Sequence, residues 1–295
     1  MGSKSSNPSV KRAQKKIPID QTVVSAPAAK ADSNGSSLSN SETLRNLYVA
    51  LLRCRLMEEQ VSRSPELAAR YDFVAGGEAL AVAAAAALVA GDTMAASPRH
   101  LAALVAAGVP SAEVLRVDLD ICACGRPALL GFTSLSDSSF DVGTGIALAY
   151  KLEKKQRVVA TLGNREASLD SAGEALKLAG SGKLPVVYVI QDGGESAAYA
   201  PHLKPVSLLA RAGGFPGVIV DGQDVVAVWR VAQESVHRAR NGGGPTLIDC
   251  RMDAARDPLA HMEHYLHKRN LWDAAWRERV EAKVRGELES EKEGV

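Results

Sequence analysis

The sequence has few aromatic residues and no long apolar run. Aromatic residues make up 4% of its 295 residues, whereas hydrophobic residues of all types make up 46%. Alanine, valine and leucine must therefore fill the core, which favours closely packed helices and buried parallel strands over a β-sandwich. No run approaches the roughly 20 apolar residues that cross a bilayer, and the opening residues lack a secretory hydrophobic stretch. We expect a soluble cytoplasmic protein that does not associate with membranes.

Charge and cysteine content exclude further classes of protein. The formal net charge is only +1, so no strong field favours nucleic acid or an anionic membrane as a partner. The cysteines are too few and too scattered for a disulfide framework, and no pair has the spacing of a zinc site. We interpret all four as reduced, partly buried thiols: Cys54, Cys122, Cys124 and Cys250.

The first 41 residues differ in composition from the rest of the chain. They are rich in Ser, Lys, Ala and Asn with little apolar periodicity, which predicts a disordered tail. A myristoylation pattern at Met1-Gly2 and an organellar presequence are weaker interpretations of this segment than a solvated basic tail. Residues 42–295 are predicted to form one domain, because enough apolar material remains for one large core.

Helical periodicity begins at Ser41. Ser39 and Glu42 have capping-box spacing, and an apolar stripe follows at Leu44, Leu47, Tyr48, Leu51, Leu52 and Leu56. A second helix, over residues 78–89, is rich in alanine. Its smooth face would let a partner chain approach closely, although a core helix would look the same. A third amphipathic stretch covers residues 101–107.

Beyond residue 140 the chain alternates between β-rich runs and helical segments. Strands are predicted at residues 157–162, 184–190, 217–220 and 246–250, with helices at 171–179 and 225–240 and a charged helix from Asn270. This alternation is typical of a mostly parallel sheet flanked by helices. Ligands bind beyond the carboxyl ends of such strands, which directs attention to Gly163-Asn164-Arg165 and to Asp192-Gly193-Gly194.

Motifs in a fixed order resemble one enzyme family. They are Gly77-Glu78-Ala79, Gly145 to Leu152, Gly163-Asn164-Arg165, Gly173 to Ala179, Leu184-Pro185-Val186, Gln191-Asp192-Gly193, Val220 to Val225, Gly244 to Asp249, Asp257-Pro258-Leu259 and Leu271-Trp272-Asp273. Together these resemble the alpha subunits of two-subunit thiamin-diphosphate-dependent 2-oxo acid dehydrogenases of the pyruvate, branched-chain and acetoin type. The resemblance covers roughly residues 42 to 285 and implies the thiamin-diphosphate-binding fold.

The resemblance also implies a cofactor site. In the family, an aspartate, an asparagine and a backbone carbonyl hold Mg²⁺, which in turn holds the diphosphate; the matching positions here are Asn164, Gly193 and Glu195. We expect thiamine diphosphate contacts from Arg99, Gly163, Asn164, Arg165, Asp192 and Gly193. A relocated Mg²⁺ would take Asn164, Asp192 and Glu195, because a hard cation prefers oxygen ligands.

Several positions depart from the family pattern. Arg165 replaces a glycine, Pro98 replaces a tyrosine, and Leu101 stands where the family has a histidine of the catalytic pocket. A loop that carries another histidine in the family is replaced here by residues 251–256. One hypothesis is therefore a catalytically impaired paralogue that acts as an interaction or regulatory subunit, using dimer surfaces such as the alanine-rich helix. The other is a relocated site in which Arg165 and Arg99 contact phosphate directly.

The resemblance implies partner chains as well. A separate beta subunit would complete the cofactor site, most plausibly in a two-alpha, two-beta assembly. A lipoyl-bearing acyltransferase would accept the acyl group after oxidative decarboxylation of a 2-oxo acid.

Other polar and aromatic residues have simpler interpretations. Three histidines at spacing three (His261, His264 and His267) are interpreted as a solvated helix face rather than a metal site. Asp221 and Asp224 are predicted to order a turn and to cap the helix that follows. Three tryptophans are predicted to pack in or against the core: Trp229, Trp272 and Trp276.

Overall fold

The computed structural model describes residues 23–24, 40–72, 76–97, 99–115, 128–131, 139–193, 206–253 and 255–293. The strands in these ranges are β1 (Val23–Val24), β2 (Thr93–Ala96), β3 (Ala128–Gly131), β4 (Val159–Asn164), β5 (Val186–Asp192), β6 (Gly217–Asp221) and β7 (Thr246–Arg251). The helices are α1 (Ser41–Ser62), α2 (Pro65–Ala68), α3 (Gly77–Ala87), α4 (Leu101–Ala106), α5 (Ser111–Val114), α6 (Ser139–Leu152), α7 (Arg165–Gly182), α8 (Ser207–Ala212), α9 (Val225–Arg240), α10 (Pro258–Lys268) and α11 (Ala274–Glu293).

The described strands form one sheet in the order β1-β6-β7-β5-β4-β2-β3. Every pair in it is parallel, so the predicted α/β fold is confirmed. The four strands predicted from sequence correspond to β4, β5, β6 and β7, each ending one or two residues later than predicted. Helix α9 has the predicted bounds, and α7 extends beyond its predicted bounds at both ends.

Alternating side chains of the central strands enter two separate cores. Val187 and Val189 of β5 face a core that α1, α3, α4 and α9 also line. Tyr188 and Ile190 of the same strand face the opposite core, with α6, α7 and α8. Because successive residues of a strand point to opposite faces, a strand covered by helices on both faces must be apolar, as β5 is from Val186 to Ile190.

Helix α1 begins at Ser41, as predicted, but its cap differs from the prediction. The Asn40 side chain accepts a hydrogen bond of 2.7 Å from the Thr43 backbone N–H. The N-cap is therefore Asn40, and the capping box proposed for Ser39 and Glu42 is wrong by one residue; Ser39 itself lies outside the described residues. The whole predicted apolar stripe is buried.

The alanine-rich helix α3 lies inside the protein. All its residues except Ala86 are buried, and the helix packs against α1, α4 and α9. Alanine side chains let these helices approach closely. The hypothesis that α3 provides a partner surface is therefore wrong, and the alternative of a core helix is confirmed. The helix also ends at Ala87, and Val89, which was predicted to be helical, is exposed.

Most of the predicted tail lies outside the described residues, so the boundary at residue 41 stays a prediction. Within it, Val23–Val24 pair in parallel with Ile219 and Val220 of β6. Cys54 and Cys250 are free and buried, as expected, whereas Cys122 and Cys124 fall outside the described ranges. No described helix combines the length and the apolar composition that crossing a membrane would require.

The predicted turn and cap after β6 are confirmed. Asp221 accepts the backbone N–H of Gln223 at 3.1 Å, and Asp224 caps α9 by accepting those of Val226 and Ala227 at 3.0 Å. His264 and His267 are exposed, as a solvated helix face predicts. His261 differs from them because its Nε2 lies 3.6 Å from Asp224 Oδ2.

Two glycines of α7 differ in the space available for a side chain. A Cβ at Gly180 would overlap the backbone carbonyl oxygen of Gly213, whereas a Cβ at Gly173 would meet nothing within 4 Å. We expect Gly180→Ala to lower the free energy of unfolding by about 1–3 kcal/mol through overpacking. Gly173→Ala, the matched control on the same helix, should raise it by roughly 0.5–1 kcal/mol through helix propensity. Urea denaturation of both variants tests this, and equal effects would contradict the packing.

The Asp224–His261 pair predicts a pH-dependent contribution to stability. The hydrogen bond to Asp224 raises the pKa of His261 above its usual value of 6.5, despite opposing burial. Burial alone would raise the pKa of Asp224, but the hydrogen bonds from His261 and from the α9 backbone outweigh it and lower the pKa below 3.8. The pair's contribution is therefore fully present between these two usual values and is lost as the pH rises through the raised pKa of His261.

We expect His261→Gln to destabilise the protein by a few tenths of a kcal/mol to about 1 kcal/mol near pH 5 to 6. The difference from the wild type should shrink as the solution becomes alkaline, because the wild-type imidazole is then neutral. Chemical denaturation of both proteins, from about pH 5 to alkaline pH, measures the difference in their free energies of unfolding. His264→Gln, an exposed neighbour on the same helix, is the control, and a pH-independent difference for His261→Gln would contradict the ion pair.

Candidate functional site

The predicted site residues follow two strands that lie side by side. Gly163 of β4 is in register with Ile190 of β5, and Asn164 is in register with Gln191. Because the strands are parallel, the backbone leaves both of them at the same edge of the sheet, the edge formed by the carboxyl ends of the strands. Arg165 begins α7 directly after β4. The adjacency of the two turns, on which the resemblance depends, is confirmed.

Arg165 and Asp192 form a buried ion pair across this edge. One guanidinium nitrogen of Arg165, Nη1, donates to both carboxylate oxygens of Asp192 at 2.7 Å. Only 11% of the Arg165 side chain and 6% of the Asp192 side chain are exposed. A carboxylate so far from water requires a nearby positive charge. The arginine that replaces the family glycine supplies that charge.

A second arginine reaches the same carboxylate from the neighbouring strand β7. Arg251 Nη1 lies 2.9 Å from Asp192 Oδ2, and Arg251 Nη2 lies 3.2 Å from Oδ2 of Asp249. Asp249 is fully buried and also accepts the backbone N–H of Ser207 at 3.1 Å. Burial raises the pKa of Asp249 to about 6, against the opposing charge of Arg251. The four side chains form one network of alternating charge, which we call the arginine–aspartate network.

Sequence reasoning did not identify Arg251 and Asp249 as site residues. An aspartate inside the apolar run Thr246 to Cys250 was the available signal, because a buried acid must have a partner. Arg251 belongs to the loop that replaces a family motif, but nothing in the sequence indicated the direction of its side chain.

Gly193 has a conformation that only glycine adopts readily. Its φ is +114°, and a Cβ there would lie 2.8 Å from the Met252 carbonyl oxygen. The loop that follows β7 therefore excludes a side chain where the family has its second asparagine. Gly163 is half-buried within β4, Asn164 is exposed at its end, and Glu195 lies outside the described residues.

These residues do not fit the Mg²⁺ site that the sequence suggested. Both oxygens of Asp192 already accept hydrogen bonds from guanidinium groups, so a divalent cation at Asp192 would meet two positive charges. Asn164 offers at most a neutral amide oxygen, and Gly193 offers no side chain. Within the described ranges, no group of three or more His, Cys, Asp or Glu side chains is suited to a metal ion.

Arg99 lies beyond the end of β2, which pairs with β4, and so belongs to the same edge of the sheet. Its Nε donates to Asp72 Oδ1 at 3.0 Å, and half of its side chain is exposed. Arg99 is thus engaged with Asp72 rather than with the arginine–aspartate network. Beside it is a cavity of about 20 Å³, enough for about one water molecule. Its lining includes Glu58, Glu78, His100 and Leu101, the last at the position of the family histidine.

Gln223 fixes the loop that follows β7. Its side chain is fully buried, and its amide donates to the carbonyl oxygens of Asp253 at 2.6 Å and Arg256 at 2.8 Å. Its own carbonyl accepts the Asp253 backbone N–H at 3.1 Å. These hydrogen bonds hold the loop against the β6–α9 turn, and so fix the segment that begins at Arg251.

Comparison with known proteins agrees with this architecture. The sequence profile of the family described as "Dehydrogenase E1 component" matches residues 128–253. The chain is 32% identical over 237 residues to the alpha subunit of acetoin:2,6-dichlorophenolindophenol oxidoreductase from Bacillus subtilis, covering 73% of this chain and 71% of that protein. It is 30% identical over 291 residues to the alpha subunit of 3-methyl-2-oxobutanoate dehydrogenase from Mycobacterium tuberculosis, covering 84% and 77%.

A plant relative shows the same type of subunit. The chain is 27% identical over 311 residues to pyruvate dehydrogenase E1 component subunit alpha-3, chloroplastic, from Oryza sativa subsp. japonica, covering 88% of this chain and 72% of that protein. The family depends on thiamine diphosphate. On the fold, the order of its motifs and these similarities, the chain is a member of the dehydrogenase E1 component family, related to the alpha subunits of acetoin, pyruvate and branched-chain 2-oxo acid dehydrogenases.

Proposed function

We propose that this chain is a non-catalytic alpha-type subunit of an E1-type dehydrogenase assembly, which pairs with a beta-type subunit but does not anchor Mg²⁺ and diphosphate. E1 alpha subunits generally pair with beta subunits. The observation that supports the loss of anchoring is the ion pair between Arg165 and Asp192, which neutralises the best-placed carboxylate at the edge of the sheet.

Two further features support this proposal. Gly193 has no room for a ligand side chain, and Leu101 is a buried hydrocarbon where the family has a histidine. An aliphatic side chain neither transfers a proton nor donates a hydrogen bond to a reacting group. Cofactor anchoring and acid–base chemistry would therefore be lost together, as expected when a fold persists without the activity of its family.

The catalytic alternative assigns this chain the family reaction. Arg99, Asn164 and Arg165 would hold the diphosphate of thiamine diphosphate, a 2-oxo acid such as pyruvate would be decarboxylated, and a lipoyl-bearing acyltransferase would accept the acyl group. This alternative brings the anionic diphosphate close to the buried carboxylate of Asp192, so that two anions would share the guanidinium group of Arg165. It also requires another group to transfer the proton that the family histidine would transfer, because Leu101 stands at that position.

Calorimetric titration with thiamine diphosphate separates the two functions. The chain is titrated alone and mixed with the beta-type subunit of the same organism, each with and without Mg²⁺. We expect no cofactor uptake in any condition, because no described group fits the metal. An alpha–beta pair of known activity is the positive control. Micromolar, metal-dependent uptake would refute the non-catalytic proposal and support the catalytic alternative.

Subunit pairing has its own test. Light scattering on the mixture of the two subunits should give a mass above that of either subunit alone. A mixture that remains as separate subunits would refute the assembly part of the proposal, whatever the titration shows.

We expect a metal ion to bind only when Arg165 is removed and Asn164 is replaced by an aspartate in the same variant. We expect Asn164→Asp alone to leave Mn²⁺ affinity unchanged, because Arg165 and Arg251 both still face Asp192. The double variant Asn164→Asp/Arg165→Gly should bind Mn²⁺ roughly tenfold to a hundredfold more tightly, the size of effect typical of changing groups around a metal site. Electron paramagnetic resonance of free Mn²⁺ measures both affinities.

The single variant Arg165→Gly is the control for the double variant. If Asn164→Asp alone binds Mn²⁺ as tightly as the double variant, Arg165 is not the group that blocks the metal.

A further inference from the structure

Basic side chains gather at the edge of the sheet that the amino ends of the strands form, opposite to the arginine–aspartate network. Helices α3, α6, α7 and α9 end at this edge, and each leads through a loop into the next strand, β2, β4, β5 or β7. These four strands are neighbours in the sheet, so the loops before them lie side by side. The loops and the last helical turns before them carry seven cations: Lys151, Lys154, Lys155, Arg157, Lys183, Arg238 and Arg240.

Contacts between the loops make these cations part of one surface. Arg240 donates to the buried Asp92 at 2.6 Å and to the carbonyl oxygen of Gln156 at 2.9 Å, which joins the loops before β7, β2 and β4. Lys151 Nζ donates to the carbonyl oxygen of Lys183 at 3.4 Å, which joins the end of α6 to the loop before β5. We call this surface the basic amino edge.

The basic amino edge carries more positive charge than its own acids balance. Its two acids, Asp92 and Glu153, are each paired already, with Arg240 and Lys155. Four helices also end here, and each carboxyl end contributes roughly half a negative charge, which offsets only part of the excess. Within the described part of the chain, the other five cations form no ion pair with an acid: Lys151, Lys154, Arg157, Lys183 and Arg238.

Two of these cations stand where a lysine is conformationally unfavourable. Lys154 has a φ of +55° and Lys183 a φ of +44°, the left-handed conformation that glycine adopts freely at helix ends. Any other residue there costs about 1–2 kcal/mol. Both lysines are exposed, so packing in the core does not account for them. Such strain is typical of residues that contribute to a functional surface.

Exposed apolar side chains lie at the same edge. Leu152, next to Lys151, is 74% exposed, and Val89, in the loop before β2, is 56% exposed. Leu178, 46% exposed, lies about one turn before the end of α7. Among the described residues, these are the exposed large hydrophobic side chains. Single exposed apolar residues are ordinary, but their concentration at one edge indicates a surface that a partner covers.

We propose that the basic amino edge is an interaction site for an acidic polypeptide segment that carries an apolar side chain. Its carboxylates would pair with the unpaired cations, and its apolar side chain would cover Leu152. The inference goes beyond the proposed function and does not depend on it, because the surface lies at the opposite edge from the altered cofactor site.

The chemistry of the surface favours a polypeptide over other anionic partners. Nucleic acid bases stack on aromatic side chains, whereas the exposed apolar groups here are aliphatic. An anionic membrane would have to receive Leu152 together with Glu153, the acid next to it in sequence, and like charges repel. A polypeptide can place its acids and its apolar residue separately.

Fluorescence anisotropy of a short labelled peptide tests the site on the full chain. The peptide consists of glutamates with one central leucine, and a matched peptide has serine in place of the leucine. We expect Lys154→Glu/Lys183→Glu to weaken binding of the leucine peptide about tenfold or more, because two attractive pairs become repulsive. Lys154→Gln/Lys183→Gln, which removes both charges without reversing them, should give a smaller loss and replaces the first variant if that one does not fold.

Leu152→Ser tests the apolar part of the site. We expect it to weaken binding of the leucine peptide by about threefold to tenfold, the effect of partly burying one aliphatic side chain. Its affinity for the serine peptide should equal that of the wild type. An equal loss for both peptides would overturn the assignment of Leu152 to the apolar contact.

Lys268→Glu/Lys283→Glu is the matched control. Both lysines are exposed, on α10 and α11, helices that pack against α1. The control changes the net charge of the protein by the same amount as Lys154→Glu/Lys183→Glu. We expect it to bind the leucine peptide as the wild type does, and an equal loss of affinity would show a general charge effect and overturn the site.

Two other anionic probes identify a wrong class of partner. Vesicles of phosphatidylcholine with phosphatidylserine and a double-stranded DNA oligonucleotide are titrated against the same proteins. The proposal is overturned if the wild type does not bind the leucine peptide at low salt. It is also overturned if vesicles or DNA bind more tightly than the peptide and lose their affinity in Lys154→Glu/Lys183→Glu.

Discussion

The ion pair between Arg165 and Asp192 determines the chemistry of the whole carboxyl edge. Parallel pairing of β4 and β5 puts the ends of the two strands next to each other, so a buried charge at the end of one strand can be balanced by a residue at the end of the other. A buried carboxylate cannot remain without a counter-charge. In this chain Arg165 and Arg251 supply the positive charge that Asp192 requires. A divalent cation is therefore not needed to neutralise this carboxylate.

This constraint separates the fold from the activity of its family. The sheet, the helices on both faces and the order of motifs are those of an E1 alpha subunit. The core consists of apolar side chains from alternating strand positions and of the alanine-rich α3. The fold can therefore persist when the residues at the strand ends change, because those residues contribute little to the core.

The loop after β7 connects the fold with the altered chemistry at the strand ends. Gln223 fixes its backbone, Met252 leaves no room for a side chain at Gly193, and Arg251 at its start binds both acids of the network. A loop that carries a motif in the family here covers the strand ends. The changes at positions 165, 193 and 251 therefore act together on one place in the structure, although they are far apart in sequence.

Prediction from sequence succeeded where one pattern had one physical explanation. The apolar runs of β4 to β7 gave the bounds of those strands to within two residues, and the amphipathic periods gave the start of α1 and both ends of α9, since burial requires these periods. Strand β2 was missed because Thr-Met-Ala-Ala has only one β-branched residue and two alanines, which are depleted in strands. It is a strand because pairing with β3 and β4 buries it, a tertiary effect.

The sequence by itself determined the α/β class, the positions of the turns after β4 and β5, and the replacement of glycine by arginine at 165, because each depends on neighbouring residues alone. Only the tertiary structure decided that Arg165 turns to Asp192, that Arg251 joins them, and that α3 is a core helix. The physical reason is that these choices depend on which charges and faces meet across strands and helices, and a linear sequence does not specify those distances.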